Sequence, residues 1–147
     1  MITKLYIEEE KLRFSYSHYI QGHNSCGCIH GHTGFIKGFV IVVNTAKLVK
    51  ASSYLDFGRV KNLVKDNLDH RFIVPEEHAK FWRGVYLQAI EAGIDLTNSG
   101  NIKPIPYDIA TIENIADYLK KLLLDIPGVE IVRFRMSEGP SQGVFIQ

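Results

Sequence analysis

The run Ser25-Cys26-Gly27-Cys28-Ile29-His30-Gly31-His32-Thr33 sets Cys26, Cys28, His30 and His32 close together, four groups able to bind a metal or act as a nucleophile. The apolar, largely β-branched and aromatic stretch after it, residues 35–43, reads as a β-strand. If that strand begins near His30, then His30 and His32 stand two apart on one face, and Gly31 leaves the opposite face bare. Two imidazoles on one face of one strand can reach a single ion. Zinc takes nitrogen and sulfur donors in a tetrahedron, and a catalytic site leaves one position open for water or substrate. A third ligand must come from elsewhere in the chain. Taken alone, the triplet also fits a turn or surface histidines, and the cysteines also fit small buried apolar positions.

Working back toward the N-terminus, residues 12–18 alternate, so that Leu12, Phe14, Tyr16 and His18 share a face. That strand ends on His18, the candidate third ligand; a histidine capping a strand end in solvent is the alternative. Residues 21–27 are polar and contain glycine, which suits a loop returning the chain from His18 to Cys26. His23 lies in that loop, fixed on no strand, and is the weaker ligand candidate. Residues 4–7 form an earlier strand. Consecutive strands with short connections point to an antiparallel sheet.

Toward the C-terminus, residues 44–47 read as a turn, and a further strand falls in 48–49 or 53–57. A helix is predicted over 58–68, with Val60, Leu63, Val64 and Leu68 as its apolar stripe and Asp56 placed to cap it. Asp69-His70 follows; taken alone, such a pair is also simply solvated. Residues 75–93 have a helical pattern, and 95–107, with two prolines, suit a loop or short extended excursion. The strongest helix covers 109–126, capped by Thr111 or Asp108, with Glu113 in its first turn and Pro127-Gly128 as its stop. Residues 129–137 alternate again. Val132, Phe134 and Met136 face one way, and Glu138 continues that face. A carboxylate in line with a core face is unusual, unless the strand ends there at Gly139-Pro140 and the glutamate is solvated. Residues 144–146 form a short last strand.

The chain has 147 residues, enough for one domain with a real core, 46% of them hydrophobic and 22% charged. A formal net charge of +1 gives no basis for nucleic-acid or membrane binding. No apolar run approaches a membrane span, and the N-terminus lacks a signal-peptide core. Two cysteines one residue apart are poorly placed for a structural disulfide, which suits a reducing, cytoplasmic setting with free thiols. A His-Glu-x-x-His hydrolase helix is absent from the sequence.

The order of the pieces is more specific than any one of them. A strand closing on Phe14-Ser15-Tyr16-Ser17-His18 is followed by Cys26-Gly27-Cys28-Ile29-His30-Gly31-His32. Then come Tyr54-Leu55-Asp56-Phe57, Leu68-Asp69-His70, Ala110-Thr111-Ile112-Glu113-Asn114 and a final strand ending on Ser137-Glu138. Over nearly the whole chain this resembles the 6-pyruvoyltetrahydropterin synthase family, and within it the 6-carboxytetrahydropterin synthase branch of the route to queuosine and archaeosine bases. The resemblance implies an α+β tunnelling fold: an antiparallel four-stranded sheet with two main helices on one face, in a single domain over 1–147 with an insertion at about 75–107. Such subunits form trimeric β-barrels that pair into homohexamers, with active sites between subunits. Edge-to-edge joining would also cover unpaired strand edges.

The same resemblance makes His18, His30 and His32 ligands of Zn2+, and Cys26 rather than Cys28 the catalytic base. Asp69 and His70 become a second proton-handling pair in a pocket shared with a neighbouring subunit. Glu138 would hold the pterin by accepting two hydrogen bonds, Thr111 would be a minor pterin contact, and Glu113 would support the helix start and pocket wall. The implied substrate is 7,8-dihydroneopterin triphosphate, converted to 6-carboxy-5,6,7,8-tetrahydropterin with loss of acetaldehyde and triphosphate. A pyruvoyl-forming reaction that keeps the side chain is the alternative, and a non-catalytic zinc-binding oligomer is a further one, opposed by the presence of Cys26, Asp69, His70 and Glu138. The chain departs from the family pattern at Ala110, where proline is usual, at Phe72-Ile73-Val74, which replaces a Leu-Asn, and in the length of 75–107. These departures bear on substrate selection and the pocket's outer wall.

Overall fold

The structure, a computed structural model, describes residues 2–7, 12–47, 56–94 and 101–147. The described strands are β1 (Ile2–Ile7), β2 (Arg13–His18), β3 (His30–Asn44), β4 (Arg71–Pro75), β5 (Ile102–Ile105), β6 (Val129–Ser137) and β7 (Gly143–Ile146). The helices are α1 (Phe57–Leu68), α2 (Ala79–Glu91) and α3 (Ile112–Leu124).

The long strand β3 is the spine. β2 pairs antiparallel with its first part, from His18 opposite His30 to Arg13 opposite Phe35, and β1 pairs antiparallel with its second part, from Ile7 opposite Phe39 to Ile2 opposite Asn44. β6 runs antiparallel along the other edge of β3, and β7 folds back on β6. Partway along β3 the face presented to the core changes parity: Ile36 is buried before the change, Phe39, Ile41 and Val43 after it. Gly38 makes the change with φ +57, at a register shift between Lys37 and Val40. A glycine in the left-handed region is what a bulge of one extra residue requires. The bulge lets one strand keep its histidines and its distal core residues on the same side of the sheet.

Helices α1 and α3 cover that side. Asp56 accepts a hydrogen bond from the Arg59 amide at 2.6 Å and caps α1, which buries Val60, Val64 and Leu68. Thr111 caps α3, which buries Ile115, Ala116, Leu119 and Leu123. Each of these Val, Leu and Ile side chains contributes roughly 1.5–3 kcal/mol on full burial. None of the described helices is long and apolar enough to cross a membrane.

The expected four-stranded antiparallel sheet with two helices needs correction. Among the described residues there is a mixed sheet of seven strands, with three helices. The expected antiparallel part is present as β1 and β2 sharing one edge of β3, followed by β6 and β7. The addition is β4 and β5, both parallel to β2 and continuing the sheet beyond it. Phe72-Ile73-Val74 is the physical reason: all three are buried, so the run serves two cores through opposite faces of one strand. Ile73 and Ile105 join the main core, while Phe72, Val74 and Ile102 form a second core with Ala79, Tyr19, Trp82 and Tyr86. Thus α2, lying within the stretch from 75 to 107, packs on the face opposite α1 and α3. It is tied back to the end of β2: the Trp82 indole N–H donates to the Tyr19 hydroxyl at 2.9 Å, and that hydroxyl lies 2.7 Å from His78 Nδ1. The strand expected in 48–49 or 53–57 lies, but for its last two residues, outside the described residues. Within that pair, Phe57 opens α1.

Candidate metal centre

The register of β2 on β3 builds a two-by-two patch of rings on the helix-covered face. His18 is directly opposite His30, and Tyr16 is directly opposite His32. The three imidazole centroids lie 4.6 Å (His18–His30), 5.1 Å (His18–His32) and 4.9 Å (His30–His32) apart. One ligand atom from each falls within 4.8 Å of the others.

The chain orients these rings through carbonyls. His18 Nδ1 is 2.7 Å from the Ala110 carbonyl, just ahead of α3, and His30 Nδ1 is 2.8 Å from the Cys28 carbonyl. A carbonyl can only accept, so Nδ1 carries the proton in both rings and Nε2 keeps its lone pair. The Nε2 atoms of His18 and His32 are buried without a hydrogen-bond partner. Buried nitrogens left in this way are costly, and three imidazoles with converging lone pairs are a donor set suited to zinc. His18 is only 1% exposed, and burial pushes its pKa below the ordinary value. That keeps its ring neutral and able to ligate.

Glu138 reaches the same place from the end of β6. Its Oε1 lies 3.6 Å from His18 Nε2 and 3.9 Å from His32 Nε2, and it accepts a 2.9 Å hydrogen bond from the Tyr16 hydroxyl. Burial, then the charge and hydrogen bond of Glu138, push the Tyr16 phenol far up, so it stays protonated and donates. Beside Glu138 is a cavity of about 230 Å³ lined by Ile112, Glu113, Gln142, Gly143 and Val144. Gly143 is needed there, since a Cβ would overlap the Met136 carbonyl.

The remaining expected residues lie outside this cluster. Cys26 is half-buried in the loop before β3, held by its carbonyl accepting from the Ile20 amide at 2.6 Å and its amide donating to His23 Nδ1 at 3.2 Å. His23 therefore serves the loop. The Cys28 thiol donates to the Ser25 carbonyl, while its own carbonyl aims His30. Thr111 uses its hydroxyl to cap α3 at Asn114 and does not line the Glu138 cavity. Asp69 and His70 do meet, with Oδ2 and Nδ1 3.1 Å apart, in the turn between α1 and β4. Asp69 Oδ1 accepts from the Ser15 amide at 2.9 Å, and the His70 amide donates to the Ser15 carbonyl at 2.6 Å. The His70 side chain is 80% exposed. Among the described residues, no hydrogen bond or ion pair joins the pair to the histidine triad. His70 instead borders a second cavity of about 210 Å³ with Ser15, Ser17, Arg71, Tyr86 and Asn101.

Sequence reasoning gave no role to two contributors, the Ala110 carbonyl and Tyr16. The signal for Tyr16 was present, since the alternation of β2 sets it on the face of His18. No sequence signal foretells the Ala110 carbonyl.

Comparison with known proteins agrees with this architecture. A profile of the 6-pyruvoyl tetrahydropterin synthase family matches residues 6–147. A Methanocaldococcus jannaschii protein, named as a candidate 6-carboxy-5,6,7,8-tetrahydropterin synthase, is 36% identical over 70 residues, covering 46% of this chain and 41% of that protein. The aligned stretch therefore spans less than half of that relative. The crystal structure of 6-pyruvoyl tetrahydropterin synthase from Plasmodium vivax superposes with a TM-score of 0.61 at 21% identity, over 99% of this chain and 97% of that one. The Plasmodium falciparum structure gives 0.55 at 18% identity, over 99% and 96%. At these identities the two structures speak for the fold.

Proposed function

This chain belongs to the 6-pyruvoyl tetrahydropterin synthase family, and we propose that within it the protein is a zinc-dependent lyase acting on 7,8-dihydroneopterin triphosphate. Its products are 6-carboxy-5,6,7,8-tetrahydropterin, acetaldehyde and triphosphate, and the pathway it serves leads to 7-deazaguanine bases such as queuosine and archaeosine. The observation that carries the reading is the triad itself: three imidazoles that each bring a ligand atom within 4.8 Å of the others, with a carboxylate beside them and a cavity beyond.

His18, His30 and His32 hold the zinc. Bound there, the metal supplies Lewis acidity toward the substrate's side-chain hydroxyls. Glu138 accepts hydrogen bonds from the amino-pyrimidinone edge of the pterin, while Ile112 and Val144 give the cavity apolar walls for a flat ring. Thr111, whose hydroxyl caps α3 next to the cavity-lining Ile112, is at most a minor contact at the cavity's edge. Cys26 takes a proton as thiolate; among the described residues its sulfur accepts and donates no hydrogen bond that would occupy it, whereas the Cys28 thiol is engaged with Ser25. Asp69 orients and polarises His70, and this pair serves a site shared with a neighbouring subunit in a cytoplasmic homohexamer built as a dimer of trimers. The outward presentation of His70 supports that placement. The carboxy-forming product is favoured over the pyruvoyl one by the relative quoted above and by the Cys26-x-x-x-His30 spacing.

The test is product analysis. Zinc-loaded protein is incubated with 7,8-dihydroneopterin triphosphate, the pterin is identified by mass spectrometry, and acetaldehyde is assayed in parallel. Carboxytetrahydropterin with acetaldehyde is expected. A pyruvoyl product without acetaldehyde would move the protein to the other branch, and zinc binding without turnover would leave it a metal-binding oligomer.

A further inference from the structure

Tyr16 occupies the fourth corner of the ring patch whose other corners are the three histidines. It is 4% exposed, with its ring centroid 5.2 Å from His18 and 5.5 Å from His32. A phenylalanine would fill that space equally well, and burying a hydroxyl costs free energy unless it is hydrogen-bonded. The hydroxyl here donates to a single side chain, Glu138.

Glu138 needs such a partner. It is the first residue after β6 and precedes Gly139, whose φ of +141 turns the chain away. Its amide donates to the Gln142 carbonyl at 3.2 Å, which fixes its backbone. Its side chain is 16% exposed and could rotate either toward the imidazoles or out into the adjoining cavity.

We propose that Tyr16 is a positioning residue for Glu138. Its hydroxyl holds Oε1 over the histidine triad, leaving Oε2 and the remaining lone pair of Oε1 to accept from a ligand ring in the adjoining cavity. This inference rests on the pterin reading of the site. It assigns the directionality of pterin recognition to an oxygen on β2 rather than to Glu138 alone. The two acceptor positions offered to the ring then have a fixed angle to the metal centre, as alignment of the substrate side chain over the metal requires.

The experiment compares the parent protein with Tyr16→Phe and Tyr19→Phe, all zinc-loaded. The readouts are bound zinc, neopterin affinity by fluorescence titration, and the KM and kcat of turnover. Tyr16→Phe should keep one zinc, while KM rises and neopterin affinity falls by about tenfold, the low end for a hydrogen bond to a charged group, with a smaller fall in kcat from the lost alignment. Tyr19→Phe removes a hydroxyl that points to His78 on the insertion and should leave neopterin affinity unchanged. Equal losses in both variants would mean general loosening of β2 and would overturn the proposal. Loss of zinc from Tyr16→Phe would overturn it too, by placing the effect on the ligands. Parental affinity in Tyr16→Phe would reject the positioning role while leaving the pterin reading intact. A parent protein that binds no pterin would remove that reading, and this inference with it.

Discussion

The histidine triad and the Asp69–His70 turn both lean on β2, three residues apart, yet they are built in opposite ways. The triad uses the core-facing side chains of β2 and β3. Carbonyls of Ala110 and Cys28 orient two of its rings, and His18 is almost fully buried. The turn uses the backbone of Ser15, which both accepts from His70 and donates to Asp69. It holds His70 at φ +56, a conformation that costs a non-glycine residue free energy and persists only where the surroundings enforce it. The result is an imidazole with one carboxylate partner and most of its surface in solvent. One region is complete within the chain; the other is presented outward. A metal centre needs convergent donors that a sheet register can supply locally. The role proposed for the pair, proton handling in a neighbouring subunit's site, needs rigidity and exposure, which this turn has.

The sharpest way to break the contrast is His18→Ala. It should abolish metal binding and turnover, and it should cost roughly 2–4 kcal/mol of stability, the range for emptying a buried position of this size. Zinc analysis and urea unfolding of the metal-free protein measure both; a variant that still holds stoichiometric zinc would mean the triad is not the metal centre. Asp69→Asn should behave otherwise. Stability and zinc content stay within about 0.5 kcal/mol and parental stoichiometry, because an amide oxygen can still accept from Ser15. Turnover should fall by about 10²–10⁴-fold, the usual contribution of a positioned proton-transfer group. Refolding the two inactive variants together tests the outward presentation. If the pair serves a neighbour's metal centre, mixed oligomers regain activity that neither variant has alone. No regain would assign the pair to its own chain's site.

Most of the triad was legible in the sequence because strand periodicity is local. His30 and His32 share a face by spacing, and the alternation ending on His18 marks the third histidine of the cluster; the pairing that sets His18 opposite His30 follows from one hairpin. Glu138 was legible for the same reason, as a carboxylate continuing an apolar face. What was not legible depends on contacts distant in sequence. The Ala110 carbonyl reaches His18 across 92 residues, and Tyr16 meets Glu138 across 122. The bulge at Gly38 was equally hidden, since an isolated glycine in a strand does not announce a change of parity. In the insertion, the helical pattern of 75–93 was readable and appears as α2. But Phe72-Ile73-Val74 is too short for its period to separate a buried strand from a connecting run, so the parallel extension of the sheet came only with the structure. Asp69 and His70 were legible as a pair, and their exposure was not, because exposure is set by what the turn lacks as neighbours.

The smallest expected effect gives the difference in burial a thermodynamic consequence. In the metal-free protein, burial lowers the His18 pKa from its ordinary 6.5, outweighing the Ala110 carbonyl and the Glu138 carboxylate, which both raise it; His30 and His32 lower it further. Tyr16, protonated, adds no charge to this balance. As pH falls below about 6.5, the unfolded chain takes up a proton on this histidine before the folded chain does. The contribution to stability is therefore full above that pH and is lost as pH falls through the depressed folded value. Bound zinc occupies the lone pair that the proton needs, so loading should move the loss to lower pH. Thermal unfolding of metal-free protein between about pH 7.5 and about pH 5, across the histidine range, should show a melting temperature falling by a few degrees. His18→Gln should flatten that slope. A slope that His18→Gln does not change would place the acid sensitivity in another group and remove the energetic side of the contrast between the two regions.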